Sequence, residues 1–233
     1  MALHGSTEKG SMKVGEKGSR RRKIFALGAA GAVLGIGVTA TLAAWTDTEW
    51  VFGGDGAGGP GIGTSTFEVL QNTEAPFDDP AAWVNEDENP GGEIVFGLDA
   101  LELSPGDSVY AQFALQTSDT SIAGDVTLQS AVLADITQDA DAQTLLDALA
   151  VRVATTTDVL EDCDVDAFGL GATVIADGPL TTTGGSAAQD LAAEAGSTQY
   201  YCFEVTLPAD ADGEELMGLE AAPAWQFIGE SVD

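Results

Sequence analysis

Residues Ser108–Thr117 alternate without a break. Val109, Ala111, Phe113 and Leu115 fall on one side, and Tyr110, Gln112, Ala114 and Gln116 on the other. A period of two over ten residues fits an extended strand with one face toward a core, and no helix. This decapeptide therefore commits the chain to a sheet. The preceding Ser104-Pro105-Gly106-Asp107 reads as a turn, with proline and glycine at suitable places.

Other stretches extend the pattern. Thr64–Gln71, Glu93–Leu98, Asp125–Val132, Val151–Thr155, residues 172–176 and 179–183, Gln199–Leu207 and Ala224–Ile228 all read as strands. Asn72–Gly92 and Ser118–Gly124 read as loops. Ala142, Leu145, Leu146 and Leu149 recur at helical spacing within Asp139–Ala150, which predicts a short helix, and Ser186–Glu194 reads as a second. About nine strands without a strand–helix–strand rhythm predict a mostly β, antiparallel sandwich with one or two short helices.

The first 43 or so of the 233 residues read as a targeting segment. Arg20-Arg21-Arg22-Lys23 precedes Ile24–Ala44, an uncharged run of Ala, Gly, Leu and Val that ends in small residues, with Ala43 and Ala44 at the expected cleavage point. A membrane anchor is the competing reading, since about 20 apolar residues can span a bilayer. The glycines and the missing basic flank on the far side favour cleavage. The organisation expected is a signal peptide over 1–43, an N-terminal strand and tether over 44–63, and one sandwich domain over 64–233. The product is expected outside the cell or at its surface, with the signal peptidase as its processing partner and no membrane contact after processing.

Charge supports the same division. Seven of the eight basic residues precede position 24, leaving Arg152 alone against 36 of the 38 acids. Such a surface repels nucleic acid and anionic membrane, stays soluble and attracts cations. Disorder is not expected, because 44% of the chain is hydrophobic and its apolar runs alternate like strands. Cys163 and Cys202 are the only cysteines, and outside the cell such a pair is most simply a disulfide.

Catalysis is not expected. The exported part has no lysine, and the one histidine, His4, lies in the signal, so histidine- and lysine-based chemistry is excluded. Without lysine, covalent pilus-type crosslinks are excluded too. The acids Asp162, Asp164 and Asp166 resemble the start of a calcium loop. Ala167 and Thr173 then stand where that loop needs Gly and Glu, so a solvated turn is the plainer expectation. Calcium there is the one cofactor that enters at all.

Trp45–Phe52 is aromatic and strand-like, and Gly53–Gly63 behind it has seven glycines in eleven residues. A short strand on a leash can tuck into its own sheet or add to a neighbour's edge. Trp45, Trp50, Val51 and Phe52 are the residues expected to be donated.

Two blocks of sequence carry a family resemblance. The run Leu27-Gly28, Leu34-Gly35 and Ala43-Ala44-Trp45-Thr46-Asp47-Thr48-Glu49 resembles the signal and cleavage region of proteins processed by the SipW-type signal peptidase, the TasA/camelysin (CalY) family. Leu103–Val109 is similar to the family's Pro-Gly-Asp turn and strand. With Thr206-Leu207-Pro208 and Trp225-Gln226-Phe227, it looks closest to the actinobacterial branch. The resemblance implies a jelly-roll-like sandwich that builds biofilm-matrix fibres by inserting a freed N-terminal strand into the next subunit. The cysteine pair and the extreme acidity depart from the general family pattern. Metallopeptidase activity, described for the camelysin branch, is not carried over to a chain without zinc-binding histidines. The leading expectation is thus a secreted protein that self-associates into non-covalent fibres. The alternative is a monomeric acidic cell-surface domain that binds cations or a carbohydrate or protein partner.

Overall fold

In the computed structural model, the described residues run from Thr48 to Val232 apart from Phe52 and Gly58. The segment expected to be a signal, with Ala43, Ala44, Trp45 and Phe52, lies outside them. The chain divides into two units at Ile62/Gly63.

The second unit is a β-sandwich. Its larger sheet holds five antiparallel strands in the order β1-β2-β8-β5-β6: β1 is Val69–Asn72, β2 Ser108–Thr117, β5 Ala150–Thr156, β6 Thr173–Pro179 and β8 Thr198–Thr206. The smaller sheet has the order β10-β3-β7, with β3 at Gly124–Leu128, β7 at Gln189–Leu191 and β10 at Phe227–Ser231. A two-stranded piece pairs β4 (Val132–Leu133) with β9 (Pro223–Ala224). Among the described residues there is one α-helix, α1 (Ala142–Ala148), which buries Ala142 and Leu146.

Alternation in β2 sends Val109, Phe113 and Leu115 inward, where they meet Tyr201, Phe203 and Val205 of β8, Val151 and Val153 of β5, and Val126 and Leu128 of the facing sheet. Aromatic rings join the two layers. Phe113 stacks on Tyr201 at 5.2 Å between centroids, and Phe227 of β10 meets Tyr201 at 4.9 Å. Trp225, just before β10, meets Phe203 at 4.8 Å. Each such pair contributes about 0.5–1.5 kcal/mol beyond its area burial.

Glycine is required where Phe67 enters. A Cβ on Gly124 would lie 2.3 Å from the Phe67 ring and one on Gly229 2.9 Å from it, so these two diagonal positions on β3 and β10 leave room for one large side chain.

The β2, β5 and β8 expectations hold to within a residue or so, and the turn before β2 closes as expected, with the Asp107 amide donating to Ser104 O at 2.9 Å. Six expectations are corrected, the first being Thr64–Gln71, of which only Val69–Gln71 joins a strand, β1. Ser186–Glu194 is not a helix: Gln189–Leu191 pairs with Val126–Gly124, because burying Leu191 outweighs the helical propensity of its neighbours. Glu93–Leu98 forms no strand. Ile94 and Phe96 do turn toward the core, but the segment joins no ladder and runs into a 3-10 turn at Leu98–Leu101. Residues 180–183 make a turn in which the Thr182 and Thr183 amides donate to Pro179 O. Asp125–Val132 and Ala224–Ile228 each divide into two shorter strands.

Candidate functional site

The outer face of the large sheet carries Arg152, the one base after position 23. Antiparallel register sets Tyr110, Glu204, Arg152 and Asp177 side by side across β2, β8, β5 and β6. Arg152 Nη1 donates to Glu204 Oε2 at 2.9 Å, and the Tyr110 hydroxyl donates to Glu204 Oε1 at 2.9 Å. Asp177 lies 3.8 Å from Arg152 Nε. Glu204 is almost wholly buried, and a buried carboxylate needs such partners. The Phe168 ring covers the guanidinium at 4.5 Å. Burial, and then the hydrogen bond to Glu204, raises the pKa of Tyr110. Burial also raises that of Tyr201 in the core.

Phe168 belongs to the connection from β5 to β6, and that connection is stapled down. Cys163 and Cys202 form a disulfide, as the sequence predicts, tying the loop to the central strand β8 beside the Arg152 row. On the same face Phe77 packs against Tyr200 at 5.6 Å, holding φ at 68° to do so. Adopting that left-handed backbone costs a phenylalanine energy, which burial of its ring offsets. This face is a latched surface on which Tyr110, Glu204 and Arg152 engage one another, while Gln112 Oε1 is buried beside them without a hydrogen-bond partner.

The acids expected to suit calcium lie in the stapled loop. Asp164 caps a 3-10 turn (Val165–Phe168), its Oδ1 accepting from the Asp166 amide at 2.8 Å. Asp162, Asp164 and Asp166 are exposed. Among the described residues, no three acidic, cysteine or histidine side chains gather closely enough to hold a metal ion.

Among the described residues of the N-terminal unit, Trp50, Val51 and Ile62 are exposed to solvent. Thr48–Val51 forms no strand, and Trp50 and Val51 are 90% and 95% exposed. The glycine run, expected as a flexible tether, makes hydrogen bonds within itself. Gly54 bridges Pro60, the Gly61 amide donates to Gly53 O at 3.1 Å, and Asp55 Oδ1 accepts from the Ala57 and Gly59 amides. Gly61 has to be glycine, because a Cβ there would sit 2.4 Å from the Gly54 backbone.

The outer face of the small sheet is acidic. Glu230, Asp125 and Asp190 stand opposite one another on β10, β3 and β7. Like charges facing each other across strands destabilise a sheet. Asp125 Oδ1 is buried without a hydrogen-bond partner, and a shallow pocket of 250 Å³ opens among Asp125, Thr127, Ile228 and Glu230. A groove of 410 Å³ with a mixed lining includes Leu103, Val109, Leu145 and Leu207 beside Glu102 and Glu220.

No family model and no curated protein sequence matches this chain. Among the described residues, no helix is long and apolar enough to cross a membrane.

Sequence reasoning found the cysteine pair. It singled out Arg152 only as a lone base. Nothing local signals that Glu204, 52 residues away, is its partner; that follows from the register of β5 against β8.

Proposed function

We propose that the chain is a secreted, non-enzymatic structural protein that assembles into non-covalent extracellular fibres by donating its N-terminal segment to a neighbouring copy. The observation that carries this reading is the segment around Trp50 and Val51. Large hydrophobic side chains lie almost fully exposed there, with no ladder of their own, and an extended segment of this kind gains both backbone hydrogen bonds and apolar burial by joining another sheet. The resemblance of residues 27–49 and 103–109 to the TasA/camelysin family points the same way, and with it a jelly-roll arrangement of the sandwich. The latched outer face fits a subunit that must stay rigid while its ends make contacts. Deleting Ala44–Phe52 is expected to leave a folded monomer with an unchanged melting temperature that forms no filaments by electron microscopy. Filaments from the deleted protein rule the proposal out.

One observation favours a second reading, a monomeric acidic domain that gathers cations. It is the row Glu230, Asp125 and Asp190. On that reading, light scattering gives a monodisperse monomer at high protein concentration whatever the salt.

A further inference from the structure

The edges of the two sheets are protected to different degrees. An unpaired edge offers a row of N–H and C=O groups to any extended chain. Folded proteins block such rows with short strands, bulges, prolines, lysines or covering segments. β1 is covered by Val84, whose amide and carbonyl both bond to Gln71, at 2.9 and 2.8 Å. β6 has a bulge opposite Val153/Ala154, ends in Pro179, and gives its Ile175 carbonyl to the Ser186 amide at 2.7 Å. β7 is only three residues long. β10 has none of these devices. Its five residues keep unbroken register with β3, and it contains neither proline nor lysine. Among the described residues no strand lies along its other side.

The phase of the β10–β3 ladder shows which groups are on offer. The Gln129 amide donates to Gln226 O and the Val232 amide to Ala123 O, so the even-numbered residues of β10 bond to β3. The N–H and C=O groups of Phe227, Gly229 and Ser231 therefore point away from it. Gly229 has no side chain, and the Phe67 ring lies over the space that one would fill.

We infer that this outer edge of β10 is the acceptor for the N-terminal segment of a second copy, an inference that rests on the strand-donation reading above. The occupant is argued from the same chain, because Thr48–Val51 is without a ladder and exposes Trp50 and Val51. Alternation places Trp50 and Phe52 on one face of the incoming strand and Asp47, Glu49 and Val51 on the other. Turned inward, Trp50 meets the edge glycine and the ring of Phe67, the arrangement by which an aromatic side chain shields a glycine across a strand pair. Asp47 and Glu49 then lie on the side of Glu230 and Asp125. The contact joins like charges, so salt strengthens it.

The test uses the protein beginning at Ala44 as wild type, Ser231→Pro and the Ala44–Phe52 deletion. Assembly is followed by light scattering and electron microscopy at about 0.1 M and about 1 M salt, where the screening length falls from about 10 to about 3 Å. Proline at 231 removes an outward N–H and leaves the bonds to β3 in place. The expected result is about tenfold less assembly for Ser231→Pro, in line with the loss of one ladder hydrogen bond. Also expected are none for the deletion, more assembly of wild type at high salt, and slowed amide exchange at Phe227, Gly229 and Ser231 in the wild-type polymer. If Ser231→Pro assembles like wild type while the deletion does not, the acceptor edge is wrong and donation stands. Filaments from the deletion, or a wild type that stays monomeric, overturn both. Should Ser231→Pro melt early, exchange in the wild-type polymer decides, and unchanged exchange across residues 226–232 sinks the inference.

Discussion

The two sheets of this sandwich share a core but face solvent in different ways. The five-stranded sheet turns outward a row in which one cation satisfies two carboxylates and a ring covers the cation, all beneath a stapled loop. The three-stranded sheet turns outward a row of three carboxylates with no cation among them, and it ends on a bare edge. A chain with one base after its apolar run can neutralise only one such row, and here the base lies on the larger sheet. The difference separates a finished surface from one with bonding capacity left over.

The largest test of this contrast is the staple. Closing a loop of 39 residues contributes about 4 kcal/mol in the chain-entropy model. Cys163→Ser with Cys202→Ser is expected to lower the melting temperature by roughly 8–16 °C, at about 2–4 °C per kcal/mol for a domain of this size. A calorimetric shift of a degree or two would mean that the outer face is held by packing alone. Next comes Arg152→Met, which leaves the buried Glu204 with only Tyr110 and is expected to cost about 2 kcal/mol in urea unfolding. Replacing Glu204 with Gln in the Arg152→Met background should recover part of that loss.

The tyrosines give a pH signature. Their folded pKa values are raised, so their contribution is complete below the ordinary tyrosine value and is lost as pH rises past it. For the fully buried Tyr201 the loss is about 1.4 kcal/mol per pH unit above about pH 10. Tyr201→Phe should flatten the alkaline limb of a melting-temperature profile. The smallest effect is on the other sheet. Asp125→Asn relieves the carboxylate row and is expected to stabilise by about 0.2–1 kcal/mol at low salt, shrinking as salt rises. A destabilised Asp125→Asn would remove the electrostatic half of the contrast.

What could be read in advance follows from how local each signal is. Ser108–Thr117 was legible end to end because its own side chains alternate between core and surface. Glu93–Leu98 carries the same alternation, and Ile94 and Phe96 do face the core, but a strand also needs a partner and the sequence does not disclose one. Gln189–Leu191 reads as helix by composition and becomes strand because β3 offers Leu191 a buried place. The cysteine pair needed only counting. The Tyr110–Glu204–Arg152 row needed three strands in register, and the bare edge of β10 shows only against the covered β1, the bulged β6 and the short β7.

The position of the staple also determines how a fibre of such subunits would behave under tension. The cystine short-circuits the 39-residue separation between its two ends. Pulling on the termini can then unravel the rest of the domain while roughly 130 Å of chain, at about 3.4 Å per residue, stays out of play. That length is released only when the sulfur–sulfur bond is reduced, so the extensibility of any fibre built from this subunit would be governed by the redox state of its surroundings.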